Sequence, residues 1–368
     1  MPKISVFIPD LRGGGAERMM VHLINEFALR DIECELVLAN NTGPYLPLVS
    51  DRVSITELKC SFMNPVVIYR LYRHLVRSRP DVLLSAMTYP NVAALLARRL
   101  AGVPPRTVIS ERVVLTVQSH QSGSLKERLK PPAARMTYNM ADHIISVNDD
   151  VSEDLVENIH VDRQRISSIN NPVLTEDSIS GRDIPDHPWL RDHTRPVIIA
   201  AGRLARQKDY PTLLNAMALI PEERDVRLII LGEGPDRADL ESLASSLGIA
   251  GRIDMPGFAQ DPYAWMQHAD LFVLPSAWEG SPNVLVEAMA CGCPVVSTDC
   301  PGGSRRILED GRHGPLVPVG DADALARAIT ATLDNPVDRQ QLLARAADFS
   351  ARRSADRYLE VLLPERAL

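Results

Sequence analysis

The chain has 368 residues, 45% hydrophobic and 24% charged, with a formal net charge of −7. That length suffices for two domains that each bury a core, and the composition is that of a globular protein, with no apolar run long enough to span a bilayer. The charge is unevenly placed: residues 1–171 hold 20 Lys and Arg against 18 Asp and Glu, the remainder stands at −9, and residues 59–135 alone hold 13 basic against 3 acidic side chains.

The opening MPKISVFIPD enters a strand almost at once and lacks a secretion-signal pattern. Ile4–Leu11 is predicted as a strand, Ala16–Leu29 as a helix, Glu33–Ala39 and Ser54–Leu58 as strands, and Pro65–Ser78 as an amphipathic helix. Val82–Ser85, Asn91–Ala101, Arg106–Ser110 and His143–Val147 continue the alternation, followed by a helix at Asp150–Ile159 and a short strand at Ile166–Ile169. Such βα repetition implies a parallel sheet covered on both faces. Residues 174–195 are polar and Pro-rich, and read as a connection.

A second alternation follows. Its strands are Val197–Ala201, Arg227–Leu231, Ile253–Pro256, Leu271–Leu274 and Pro294–Ser297; its helices are Tyr210–Leu219, Pro235–Leu247, Asp261–His268, Val284–Ala290 and Ala322–Leu333. A helix around Ser354–Leu363 closes the chain. The fold class is therefore α/β, with two consecutive Rossmann-like domains.

Five cysteines, Cys34, Cys60, Cys291, Cys293 and Cys300, show no repeated metal-ligand spacing. Cys291 and Cys293 read as packed thiols beside a helix end, in a reducing, cytoplasmic compartment. The only tidy D-x-D, Asp321-Ala322-Asp323, is placed to cap a helix. The basic zone carries no nucleic-acid-binding motif, so neither a metal nor a nucleic acid is expected.

Pro275–Gly303 reads PSAWEGSPNVLVEAMACGCPVVSTDCPGG. Glu279 lies at the lip of a strand and Glu287 about two turns into the next helix. Both suit the crevice at the carboxyl end of a parallel sheet, where open α/β folds bind ligands. Paired carboxylates there suit a molecule rich in hydroxyls. The stretch resembles family 4 of the retaining glycosyltransferases, whose hallmark is two Glu separated by seven residues in a context like PSxxEGxPNxxxEAMAxGxPVV.

The resemblance implies the GT-B architecture: an acceptor-binding domain over 1–172, a nucleotide-sugar-binding domain over 173–350, and a terminal helix, 351–368, returning to the first. Gly202-Arg203-Leu204-Ala205-Arg206-Gln207-Lys208-Asp209 matches the family's GRL…QK segment, so Arg203 and Lys208 are expected on the donor diphosphate, where they would also stabilise charge on the departing group. Glu287 is expected on the ribose and Glu279 on the transferred sugar. Gly280, Ser281, Pro282, Asn283 and Val284 would bring main-chain N–H groups to the phosphates at a helix start. Gly234, within Gly232-Glu233-Gly234-Pro235, and Phe258, within Pro256-Gly257-Phe258, are expected along the nucleotide pocket.

Gly13-Gly14-Gly15-Ala16-Glu17 resembles the family's GGxE loop, placing Gly14 and Gly15 near donor phosphate or acceptor. It is not a dinucleotide fingerprint, because Arg18 holds the third glycine position. Glu111 and Arg112 sit where relatives carry SERN, and read either as cleft residues or as a structural salt bridge. On the Pro65–Ser78 helix, Val66, Ile68, Leu71, Tyr72 and Leu75 supply apolar faces ringed by Arg70, Arg73, His74 and Arg77, a pattern suited to an anionic membrane surface. Lys126, Arg128 and Lys130 extend the positive zone.

The reading is a retaining glycosyltransferase using a nucleotide-diphosphate sugar, UDP-linked by preference and GDP-mannose as the alternative. The expected acceptor is a polyprenyl-diphosphate-linked saccharide of a bacterial surface polymer, met by an enzyme peripheral to the inner face of the cell membrane. No other cofactor is expected. A non-catalytic nucleotide-sugar-binding protein is the competing reading.

Overall fold

A computed structural model describes residues 1–61, 64–102, 105–122, 124–179, 181–192 and 194–364. The chain forms two compact units, Met1–Thr175 together with Phe349–Leu368, and Glu176–Asp348.

The first unit holds β1 (Lys3–Ile8), β2 (Glu33–Leu38), β3 (Ser54–Glu57), β4 (Val82–Ala86), β5 (Arg106–Glu111), β6 (His143–Ser146) and β7 (Ile166–Ser168). All pair in parallel, in the order β3-β2-β1-β4-β5-β6-β7. The central runs, such as VLLSA in β4, are buried throughout, as a sheet covered on both faces demands. Ile4, Val6 and Ile8 face one layer and Phe7 the other, the period-two alternation of a strand. On the first face the helices Gly15–Ala28 and Ala351–Leu362 bury Leu23, Phe27, Tyr358 and Leu362. On the second, Val66–Ser78 and Thr88–Leu100 bury Leu71, Leu75 and Ala94.

The second unit holds β8 (Val197–Ala201), β9 (Arg227–Leu231), β10 (Ile253–Gly257), β11 (Leu271–Leu274), β12 (Val295–Thr298) and β13 (Leu316–Val317). These are also parallel, in the order β10-β9-β8-β11-β12-β13. Both sheets are thus the Rossmann-like α/β arrangement expected from the sequence. Each has a point where strand order reverses, between β1 and β4 and between β8 and β11, and connections there diverge to leave a crevice at the carboxyl ends.

Several boundaries differ from the sequence reading. β1 ends at Ile8 because the Leu11 amide donates to the Thr42 carbonyl at 2.9 Å, turning the chain out of the ladder. The helix predicted from Asn91 starts at Thr88 and runs through Pro90, since a proline in a first turn removes only an N–H that lacks a helical partner. Leu115–Gln121, Leu125–Arg128 and Lys130–Thr137 fill the stretch before β6, and Ser304–Ile307 and Arg339–Ala346 add further helices. Most are too short for apolar periodicity to register. The polar connection includes a helical turn and a half at Pro188–Asp192.

The amphipathic helix also departs from expectation. Its buried stripe is Val67, Leu71 and Leu75, while Val66 is 41% exposed. Arg70 does not ring the surface as a free cation: its guanidinium donates to the Leu58 carbonyl at 2.6 Å and to the Lys59 carbonyl. His74 turns inward to the buried Glu35 carboxylate at 3.2 Å. Arg73 and Arg77 remain exposed.

Candidate functional site

The reversal point of the second sheet assembles the residues expected to hold a donor. The loop after β8 delivers Lys208, the loop after β11 delivers Glu279, and Lys208 Nζ stands 2.7 Å from Glu279 Oε1. Ser276 Oγ donates to the same oxygen at 2.7 Å. Both ionic side chains are largely buried, at 14% and 8% exposure. Low polarity there strengthens the attraction but raises the cost of leaving either charge alone.

Backbone contacts fix this geometry. The Ala277 amide donates to the Gln207 carbonyl at 2.8 Å, and Gln207 Nε2 to the Trp278 carbonyl at 3.0 Å, knitting the two loops. The Glu279 amide donates to the Pro301 carbonyl at 2.8 Å, drawing in the loop after β12. A Cβ on Gly302, whose φ is +113°, would meet the Glu279 carbonyl oxygen at 1.9 Å, and one on Gly202 would meet Lys208 Cε at 2.7 Å. Each ionic partner therefore lies against a glycine that makes room for it.

The remaining expected donor residues surround this pair in the chain. Arg203 is exposed on the Lys208 loop and has no ion-pair partner among the described residues. Gly234 lies against the Leu204 carbonyl, and the Leu204 amide donates to the Glu233 carbonyl at 3.0 Å, joining the loops after β8 and β9. Phe258, just past β10, is 78% exposed. Gly280 and Ser281 lead to Pro282, the N-cap of Asn283–Ala290, which has no side-chain cap bond. Helical structure thus starts one residue ahead of the expected Val284, with the Asn283 amide donating to the Ser281 carbonyl at 2.9 Å and the Leu285 amide to the Pro282 carbonyl at 3.0 Å. Glu287 is buried on that helix at 6% exposure.

Sequence reasoning did not single out Tyr210. It is buried, its Oη has no hydrogen-bond partner, and it would touch a Cβ on Gly202 at 3.2 Å. Burial, then the nearby Glu279 charge, push its ionisation upward. Ser276 and Gly302 stood inside the quoted motif, yet only strand adjacency reveals what they touch.

In the first unit Gly14 is the N-cap and Gly15 the first residue of Gly15–Ala28. Burial raises the Glu17 carboxyl above its ordinary range. Glu111 and Arg112 do not form the salt bridge weighed from sequence. Glu111 is fully buried, accepting from the Tyr138 hydroxyl and, at 2.9 Å, from the Arg112 amide. Its carboxyl is pushed up by burial, against those hydrogen bonds. The Arg112 guanidinium instead donates to Asn171 Oδ1 at 2.5 Å and Ser110 Oγ at 3.4 Å.

All five cysteines are buried and free. Cys291 and Cys293 point their sulfurs at the Tyr263 and Ala269 carbonyls, 3.6 and 3.8 Å away, and burial pushes the Cys291 thiol up to about 12. They are packed thiols, as their setting implied. Asp321 caps Ala322–Asp334 by accepting from the Ala324 amide at 2.8 Å. Among the described residues no helix is long and apolar enough to cross a membrane.

A buried ammonium–carboxylate pair at a strand-order reversal is a setting for an anionic ligand carrying hydroxyls. Comparison with known proteins identifies the family. Residues 13–177 match the family described as Glycosyltransferase Family 4, and residues 183–349 match Glycosyl transferases group 1. One relative is N-acetylgalactosamine-N,N'-diacetylbacillosaminyl-diphospho-undecaprenol 4-alpha-N-acetylgalactosaminyltransferase of Campylobacter jejuni, 28% identical over 343 residues and covering 91% of each chain. Another is the lipopolysaccharide core biosynthesis glycosyltransferase LpsE of Rhizobium meliloti, 28% identical over 360 residues, 95% of this chain and 96% of the relative. Among solved structures, HepE of Anabaena in complex with UDP and glucose aligns over 100% of both chains with a TM-score of 0.78 at 20% identity. The chain is a glycosyltransferase of the two-domain GT-B type, built from a family 4 domain followed by a group 1 domain.

Proposed function

We propose that this glycosyltransferase moves a sugar, with retention of anomeric configuration, from a UDP-linked donor to a hydroxyl of a lipid-linked saccharide during assembly of a surface polysaccharide. The observation that carries the reading is the buried Lys208–Glu279 pair at the reversal between β8 and β11. Lys208 and Arg203 bind the donor diphosphate, and their charge stabilises the group that departs with the nucleotide. Glu279 accepts from hydroxyls of the transferred sugar and Glu287 from those of the ribose. Main-chain N–H groups from Gly280 to Val284 meet the phosphates, and Gly202, Gly234 and Phe258 border the nucleotide. Gly14 and Gly15 approach the donor phosphate or the acceptor.

The names of the Campylobacter and Rhizobium relatives, which specify a diphospho-undecaprenol-linked substrate and lipopolysaccharide core, support the acceptor class. UDP in the HepE complex supports the donor preference. The first domain would then receive the acceptor, and the exposed face of Val66–Ser78 would rest on the cytoplasmic membrane surface.

The test is a screen of UDP- and GDP-linked hexoses and N-acetylhexosamines for thermal stabilisation and sugar release, with product configuration read by NMR. Stabilisation and transfer with UDP-sugars are expected. A response only to GDP-mannose would replace the donor assignment, and no response to any nucleotide sugar would sink the reading.

A further inference from the structure

The first unit has its own ligand-sized space, and it lies at that sheet's reversal point. A cavity of about 390 Å³ is lined by Asp10 and Arg12 after β1, by Met87, Thr88 and Tyr89 after β4, and by Glu17, Lys126 and Lys130. Connections diverge there, so the cavity occupies the crevice where an open parallel sheet takes a ligand.

Two kinds of charged group line this space. Lys126 Nζ and Lys130 Nζ stand 5.4 and 5.8 Å from the centroid of the Tyr89 ring. The Tyr89 hydroxyl donates to the Lys126 carbonyl at 2.6 Å, fixing the segment that carries both lysines. Lys130 is paired with Glu127 at 2.5 Å, whereas Lys126 has no carboxylate partner among the described residues. Glu127 offsets the charge of Lys130, so the charge of Lys126 is the one left for an anionic ligand in the cavity to meet. The carboxylates Asp10 and Glu17 line the same cavity. Asp10 Oδ2 accepts from Arg12 Nε and Nη2 at 2.8 and 2.6 Å, leaving further lone pairs for hydroxyl donors. Leu125 and Leu129, next to the two lysines in sequence, are 72% and 54% exposed.

We infer that this cavity is the acceptor-head subsite: Lys126 and Lys130 bind the phosphate of a lipid-linked sugar, Asp10 and Glu17 accept from the sugar's hydroxyls, and Leu125 and Leu129 meet the lipid chain. This rests on the transferase reading above and specifies which residues recognise the acceptor. A phosphate flanked by a sugar and a hydrocarbon chain calls for these three kinds of group: ammonium and carboxylate lining the cavity, and exposed apolar side chains next to the lysines in sequence.

The test titrates the full-length protein, saturated with UDP, with farnesyl diphosphate and separately with inorganic diphosphate. Lys126→Ala and Lys130→Ala are each expected to weaken farnesyl diphosphate roughly tenfold or more, the loss of one charge-assisted contact. Leu125→Ser with Leu129→Ser is expected to weaken the prenylated ligand and leave inorganic diphosphate unchanged. UDP affinity, measured in every variant, reports that the fold and the nucleotide site persist. Unchanged farnesyl diphosphate binding in both lysine variants overturns the subsite, and equal losses for both ligands in the leucine variant overturn its lipid-facing part. Absence of sugar transfer from any donor would instead strike the transferase reading, so the two failures are distinguishable.

Discussion

Lys208 and Glu279, 71 residues apart, meet at 2.7 Å, and Ser276 donates to the same carboxylate oxygen. The second donor matters because a diphosphate would compete for the ammonium. In the proposed function, a phosphate that drew Lys208 away would leave Glu279 the Ser276 hydrogen bond and the hydroxyls of the sugar as partners. Lys208→Ala is expected to cut kcat/KM by about a hundredfold or more, in line with loss of a charge that stabilises a departing group. It also leaves a carboxylate buried and unpaired, costing on the order of 3–5 kcal/mol. The double variant Lys208→Met with Glu279→Gln should regain stability in urea unfolding without regaining activity. Recovery of both would show the pair to be structural.

Gly302 supports Glu279 from below. Its φ of +113° and a Cβ that would sit 1.9 Å from the Glu279 carbonyl oxygen leave no room for alanine without moving that loop. Gly302→Ala is expected to cost more than about 2 kcal/mol and to lower activity beyond what lost stability explains. Gly248→Ala is the control: φ is +74° but nothing lies within 4 Å of the added Cβ, so it should cost about 1 kcal/mol with kcat intact. Equal effects from the two substitutions would count against a positioning role for Gly302.

Much of this arrangement was legible before folding. The strands of the second unit read directly because buried parallel strands are apolar runs between Gly and Pro signals, and the Pro275–Gly303 motif is local in sequence. The Lys208–Glu279 contact is not local: it depends on β11 lying beside β8, a crossover that no periodicity states. The first-unit cavity was hidden for a related reason. Its lysines sit on Leu125–Arg128 and Lys130–Thr137, helices too short to show an apolar stripe, so Lys126 and Lys130 read only as surface charge. Arg70 and His74 misled in the opposite sense, since helical spacing alone cannot show that the exposed Arg70 is tied to main-chain carbonyls or that His74 reaches a buried carboxylate.

Glu35 is the partner of His74 and a test of that buried connection. Burial alone would raise its carboxyl; hydrogen bonds from His74, Thr56 and Ser5 outweigh this and hold it at about 2, against an ordinary value of 4.5. A carboxyl depressed on folding contributes stability that is present above the unfolded value and lost as pH falls through the folded one. The window is therefore about pH 4.5 down to 2, and the full contribution is on the order of 3 kcal/mol. Glu35→Gln should destabilise by a similar amount at neutral pH, and its deficit relative to the parent should narrow by about 2 kcal/mol at about pH 3. A deficit independent of pH would mean that packing, not charge, holds Val66–Ser78 to the sheet.

The outer stripe of that same helix sets up the last prediction. Val66, Tyr69 and Val76 are 41%, 55% and 42% exposed, and the Arg73 guanidinium stands 5.8 Å from the Tyr69 ring centroid. Positions 66, 69, 73 and 76 follow one helical face, and Arg77 adds a second exposed cation beside it. Apolar side chains flanked by cations suit the interface of an anionic bilayer. Each surface cation contributes about 1 kcal/mol there, so reversing both Arg73 and Arg77 to Glu should weaken co-sedimentation with phosphatidylglycerol-containing vesicles at least 30-fold, by roughly 2 kcal/mol or more. Tyr69→Ser should weaken it further in molar salt, where the cation contribution is screened and the apolar one survives. Binding of the parent protein that persists equally on neutral phosphatidylcholine vesicles would remove the electrostatic half of this account, and no binding to either would remove the membrane surface from the proposed function.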